Sequence, residues 1–328
     1  MTDVPANDPQ LQPPRTIALN RTRADRVFRA LCLAAGMATL VILALIGWFL
    51  LKRALPVLED RGFAFFTTQA LPPQPTAGQA YGIAALIFGT IEISLIALII
   101  AVPVSIATAL FITEYASSKL KSPLTSLVEL LAAVPSLIYG LWGFFYLQPR
   151  LVPVSSWLNE HFSWIPIFKV SEQLFTSSPL IAGVVVSLMT IPICTAVMRQ
   201  VFSQTPPGEK EGALALGMTR WGMIRAVVLP FGRGGMVGGA MLGLGRALGE
   251  TIAVAIIISP LYTITPHLLQ SGGSTIPSII ALRFSESSGL GLSVLMAAGL
   301  TLFALTLVVN LGAGVIVSRS RSGQGVEI

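Results

Sequence analysis

Charge is scarce in this sequence. Asp, Glu, Lys and Arg make up 11% of the 328 residues while 53% are hydrophobic, against about 25% charged in soluble proteins. That balance excludes a water-soluble globular domain and places the chain among membrane proteins. Cysteine is scarcer still. Cys32 and Cys194 both lie inside apolar runs. They make neither a metal-ligand spacing nor a disulfide framework, and they read as small buried apolar residues. The two histidines, His161 and His267, stand far apart in expected loops. No G-x-x-x-x-G-K-S/T occurs, so the chain cannot cradle a nucleotide in the P-loop manner. A basic stripe with interleaved aromatics is also missing, so nucleic acid is not expected as a partner. The formal net charge of +6 reflects a cytoplasmic loop bias instead. No short repeat period is present, which excludes a solenoid.

What the sequence does contain is long apolar runs. Residues 1–28 hold Pro5, Pro9, Pro13 and Pro14, then several arginines, and read as a flexible basic cytoplasmic tail. Ala30–Leu51 follows as a first span. It exceeds the ~7–15-residue core of a signal peptide, and no A-x-A site follows it closely. After a polar loop at 52–82, the run Ile83–Ile112 would measure ~45 Å as one straight helix, against a hydrocarbon core of ~30 Å. A tilt, or a break near Pro103, is therefore expected. Further spans are expected at Leu124–Tyr146, Leu180–Val201, Gly232–Ile258 and Leu290–Val317, with outer loops at 147–177 and 259–288 and a cytoplasmic tail at 321–328. The fold class is thus an all-α membrane protein of about six transmembrane helices, with a permease domain over 29–320.

Cationic residues follow this topology. The N-terminal arginines, Lys119, Lys121, Arg199, Lys210, Arg220, Arg225, Arg233, Arg319 and Arg321 fall on one side. Lys52, Arg53, Arg61, Arg150, Lys169 and Arg283 fall on the other. The bias places both termini in the cytoplasm.

The stretch 209–251 joins two unlike pieces. In the first, within a cytoplasmic segment 203–230, Glu211–Leu216 can form a short helix that Gly217 stops in the left-handed conformation. Thr219 can cap a second short helix carrying Trp221, Ile224 and Val228, and Pro230 leads into the fifth span. Such a knob could insert into a groove of another protein, or could merely connect two spans at the membrane surface. The second piece is apolar and rich in glycine. Gly235, Gly239 and Gly243 recur every four residues, and Gly245 and Gly249 repeat the spacing, a pattern that admits a closely packed neighbouring helix, in this chain or in a partner subunit.

Arg246 and Glu250 stand within this second run. An intramembrane charge costs about 2.5–3.5 kcal/mol on insertion scales, which points to function by default. Four residues apart on a helix, the two would share a face with ~6 Å of rise between them. Three arrangements remain open: pairing with each other, pairing with a partner, or facing a solute path. Glu92 and Glu129 are the other acids in apolar runs. Glu92 could pair with Arg246 or serve as a protonated polar contact. Glu129 reads more readily as an interfacial carboxylate or as bonded to a neighbouring helix.

Glu211, Ala213, Gly217, Val227, Leu229 and Pro230 resemble the E-A-A, three residues, G, nine residues, I-x-L-P signature of ABC importer permeases. Gly212 stands for the first Ala and Val227 for Ile. Within that group, GRALGETIAV at 245–254 and ELLAAVPSLIYGLWGFF at 129–145 are similar to PstC-type permeases of bacterial high-affinity phosphate importers. So are SPLIAGVVVSLMTIPICTAV at 178–197 and SLIALIIAVPVSIATALFITEYAS at 94–117. The resemblance runs from about Ile83 onward and implies a type I ABC importer permease fold in the bacterial inner membrane, with no cofactor and no catalysis in this chain. It implies that Glu211, Ala213, Gly217, Leu229 and Pro230 belong to an ATPase-coupling segment, and that Arg246 and Glu250 take part in phosphate passage. The implied partners are a PstA-like second permease, a PstB-like ATPase dimer and a PstS-like extracytoplasmic phosphate-binding protein, besides membrane lipid. The alternatives are a permease for another oxyanion, molybdate or sulfate, and a membrane scaffold or sensor in phosphate signalling.

Overall fold

The computed structural model describes residues 23–318 apart from 73, 77 and 171–173. Residues 1–22 of the expected N-terminal tail and all of the tail 321–328 lie outside the described residues. Residues 23–28 already belong to helix α1 (Arg23–Arg61). The described residues up to Phe49 form one compact unit and those from Leu50 another. In the first unit, Leu31, Leu40, Val41 and Leu45 are exposed, as is Cys32. A helix that is apolar on every side suits a membrane span. α1 stays helical to Arg61, so the expected polar loop starts about ten residues later than its composition suggests.

The second unit continues with α2 (Ala64–Thr67) and α3 (Ala84–Leu110), which runs on as a π-helical turn over Phe111–Tyr115. α3 passes through Pro103 without a break. The third span, by contrast, is split. α4 (Ser118–Ala133) and α5 (Ser136–Trp142) part at Val134–Pro135, and the direction changes by 88°. Val134 is extended, at φ −65° and ψ 128°, the conformation that a following proline favours. After a π-helical turn at Gly143–Leu147, α6 (Gln148–Phe162) occupies much of the expected outer loop 147–177. His161 therefore lies in a helix, with its ring 3.0 Å from the Trp157 carbonyl oxygen.

α7 (Pro179–Ser203) is the most enclosed of the long helices. Gly183 admits the side chain of Ile96 from α3, and Ser105 Oγ of α3 donates to the Ile191 carbonyl at 3.1 Å. The chain then turns through α8 (Pro207–Ala215), α9 (Arg220–Met223), a π-helical turn at Ile224–Val228 and α10 (Leu229–Phe231). It bends by 67° into α11 (Arg233–Leu248). α12 (Ile252–Ile257), α13 (Ile276–Arg283) and α14 (Leu290–Ser318) complete it. Among the described residues four helices are each long and apolar enough to cross a membrane, or up to six if each bent pair is one span.

The glycine stripe explains how α11 is seated. A Cβ at Gly235 would stand 2.5 Å from Val201, at Gly239 3.1 Å from Met198, and at Gly243 2.5 Å from Cys194 Sγ. The neighbour that the stripe admits is thus α7 of the same chain. Cys194 Sγ lies 3.1 Å from the Gly239 carbonyl oxygen. With lipid as apolar as the side chains, such close van der Waals packing is what holds spans together.

Candidate functional site

The fifth span does not run through to Ile258 as one helix. α11 ends at Leu248, Gly249 to Thr251 form a break, and α12 starts at Ile252. Arg246 is in the last turn of α11, where the partial negative charge of the helix end favours a cation. Glu250 lies in the break and is only 7% exposed. Its backbone N–H donates to the Ala247 carbonyl at 3.3 Å, and its Oε1 accepts from the Ala253 N–H at 3.3 Å. The carboxylate thus caps the first turn of α12. The helical i,i+4 relation between Arg246 and Glu250 is lost, and the two side chains form no ion pair with each other. Arg246 Nε is buried and has no hydrogen-bond partner among the described residues.

A second interruption packs against this one. α5 meets α12 where Gly140 faces Ala253, with space for no side chain on the glycine. The α4–α5 bend is bridged by Tyr139 Oη, which donates to the Leu131 carbonyl at 3.0 Å. Ala247, next to Arg246, belongs to the buried apolar cluster against which Tyr139 of the bent third span packs. Irregular backbone at membrane depth is tolerated where it is buried in protein or lines a water-filled cavity. An arginine with unused donors beside two such interruptions can receive an oxyanion through its guanidinium fork.

The other two acids separate. Glu92 stands in α3 with Oε1 buried and unpartnered, and it makes no ion pair with Arg246. Glu129 is 60% exposed and pairs with Arg199 of α7 at 3.3 Å. Among the described residues no group of three or more His, Cys, Asp and Glu could hold a metal ion.

The segment 203–230 forms the knob that its capping residues predict. α8 ends before Gly217, which adopts φ +83°. Thr219 Oγ1 accepts from the Gly222 N–H at 3.1 Å and starts α9. Ala213, Ile224 and Val228 are buried beneath, while Leu216 is 82% exposed and Leu214, Met218 and Trp221 are also exposed. Glu211 is exposed on α8. The knob thus presents apolar side chains that nothing among the described residues covers.

One connection is invisible to motif reading. Lys210 Nζ of α8 donates to Glu114 Oε1 at 2.6 Å, with the two side chains 20% and 7% exposed. This ion pair ties the knob to the end of the second span. The only trace in the sequence is a glutamate where an apolar run emerges and a lysine beside Glu211.

A profile of the family described as "Binding-protein-dependent transport system inner membrane component" matches residues 101–322. The chain is 41% identical over 304 residues to the phosphate transport system permease protein PstC 2 of Mycobacterium tuberculosis, covering 92% of this chain and 94% of that one. It is 42% identical over 308 residues to the phosphate transport system permease protein PstC of Mycobacterium leprae, covering 93% and 95%. With the protein of that same description from Xylella fastidiosa the identity is 38% over 313 residues, 94% of each chain. A solved bacterial ABC transporter, described as involved in the import of the acidic polysaccharide alginate, aligns with a TM-score of 0.54 at 20% identity, over 90% of this chain and 99% of that one. The fold is therefore that of a type I ABC importer permease.

Proposed function

The chain belongs to the binding-protein-dependent transport system inner membrane components, among the PstC permeases, and we propose that it carries inorganic phosphate along a path past Arg246. It is the permease subunit of a phosphate importer and supplies half of that path. The observation that carries the reading of the path is the buried, unpartnered Nε of Arg246 at the end of α11, beside the 249–251 break. Phosphate presents several oxygens to a fork of donors, and an arginine stays charged at any physiological pH. Glu250 has one oxygen committed to α12 and a second that can accept the proton phosphate carries and sulfate lacks.

The chain lies in the bacterial inner membrane with both termini and the segment 203–230 in the cytoplasm. A PstA-like permease completes the pore. A PstB-like ATPase dimer receives the knob, where exposed Leu216, Met218 and Trp221 suit a groove. A PstS-like binding protein delivers phosphate from outside. This chain makes and breaks no bonds. When the ATPases close on ATP, the push on α8 reaches the second span through Lys210 and Glu114, and reaches α11 through α9 and α10.

Labelled phosphate uptake in cells lacking their own high-affinity importer tests this. Arg246→Gln is expected to assemble and to lose uptake by ~10–100-fold, the size of one or two charged hydrogen bonds. Glu211→Ala is expected to assemble and to weaken transport-linked ATP hydrolysis. Normal uptake by Arg246→Gln would place the path elsewhere.

A further inference from the structure

A half-open cavity of about 210 Å³ lies where the π-helical turn after α3, the start of α4, the end of α7 and α8 converge. Lys121, Arg199 and Lys210 line it, with Glu114, Thr125 and Ser203. Each cation retains donors. Lys121 Nζ gives one hydrogen to the Thr113 carbonyl at 2.7 Å, and Lys210 Nζ gives one to Glu114. An ammonium group carries three. Arg199 Nη2 donates to Glu129 at 3.3 Å, while its Nε is buried and unpartnered. Two carboxylates face these three cations, Glu114 on Lys210 and Glu129 on Arg199, so one positive charge remains in excess. Ser203 donates its hydrogen to the Gln200 carbonyl at 2.7 Å, which leaves its oxygen free to accept from a protonated oxyanion. At ~30 Å³ per water, the cavity has room for a tetrahedral group.

We propose that this cavity binds a phosphate group at the joint between the coupling knob and the second, third and fourth spans. The group is either free inorganic phosphate or the headgroup of an anionic lipid, since both present the same oxygens. Its access from the cytoplasm rests on the orientation given above. The donors come from α4, α7 and α8, so a bound phosphate group pins α8 to two spans and resists movement of the knob. This site is separate from Arg246, which lies at the far end of α11.

The test uses the assembled permease–ATPase complex, without its binding protein, in phosphatidylcholine nanodiscs. Equilibrium dialysis with radiolabelled inorganic phosphate compares wild type, Lys121→Gln, Lys121→Arg and Arg246→Gln. Lys121 is exposed, so its replacement leaves packing intact. Free phosphate as ligand gives a saturable component that Lys121→Gln weakens about tenfold and Lys121→Arg retains, and this component is still present once Arg246→Gln has removed any binding on the transport path. A lipid headgroup as ligand gives no Lys121-dependent phosphate binding. Instead, native mass spectrometry of complexes from phosphatidylglycerol-containing nanodiscs shows bound lipid in wild type and its loss in Lys121→Gln. The proposal is overturned if neither phosphate nor phosphatidylglycerol binding responds to Lys121. Lys121-dependent binding together with normal uptake by Arg246→Gln would keep this site and discard the transport path.

Discussion

Lys210 Nζ and Glu114 Oε1 meet at 2.6 Å across 96 residues of sequence, and both side chains are mostly buried. This contact joins the knob, the segment proposed to meet the ATPases, to a helix long and apolar enough to cross a membrane. Removing one member leaves the other charged and without its partner, which costs about 3–5 kcal/mol for a well-buried pair.

Glu114→Gln and Lys210→Met are therefore each expected to lower the thermal stability of the solubilised complex and to reduce phosphate uptake more than ATP hydrolysis. The exchanged pair, Glu114→Lys with Lys210→Glu, is expected to recover part of both. Measuring uptake and hydrolysis on the same preparations separates lost coupling from lost assembly. Equal falls in the two rates would reduce the pair to a fold-stabilising role.

Glu250 is expected to act at two levels. Its carboxylate caps α12 through the Ala253 N–H, so Glu250→Ala should destabilise the fifth span by about 0.5–2 kcal/mol, as loss of a cap does. Glu250→Gln keeps an acceptor oxygen and should retain most of that stability. It loses the proton acceptor, so competition by sulfate in the uptake assay should rise. An unchanged sulfate-to-phosphate ratio would leave Glu250 with its capping role alone.

Gly243 faces Cys194 Sγ where a Cβ would come within 2.5 Å. Gly243→Ala is expected to force α11 away from α7 at a cost of about 1–3 kcal/mol. Cys194→Ala removes the sulfur, and the double variant should recover part of the loss, a coupling that a double-mutant cycle reads directly. Thr190 Cγ2, at 2.7 Å from the same Cβ position, keeps the recovery incomplete. Additive losses in thermal stability would show that the two positions do not meet.

Tyr81 offers a pH test outside the spans. It is fully buried, and its hydroxyl donates to Asp60 Oδ2 at 2.6 Å. Burial first, and then the bond to Asp60, push its pKa up to about 12 from an ordinary 10.0. The folded protein binds this proton more tightly than the unfolded chain does. The stabilisation is therefore complete below pH 10.0 and is lost as the pH rises through about 12. Thermal melts between these limits should show a decline in wild type that is smaller in Tyr81→Phe.

Features that depend on near neighbours were legible in the sequence. Gly217 and Thr219 announced the turn and the cap of the knob, because αL geometry and side-chain capping are settled within three or four residues. The departures lie where packing across the fold intervenes. A tilt or a break near Pro103 was the expectation, and α3 remains helical there, while Pro135 does split its span. A proline constrains only its local backbone, so its presence alone does not tell whether a span continues.

Hydropathy by itself determined a membrane protein of several spans, and the spacing from Glu211 to Pro230 supplied a resemblance to ABC importer permeases that the family match bears out. Transfer of an apolar run into lipid depends on its composition and length and needs no partner elsewhere in the chain. Tertiary structure alone decided that the glycine stripe seats α11 on α7, that Glu250 caps α12 instead of sharing a helix face with Arg246, and that Lys210 reaches Glu114. Each of these depends on which helices approach within a few ångströms, and that proximity comes from packing between segments far apart in sequence.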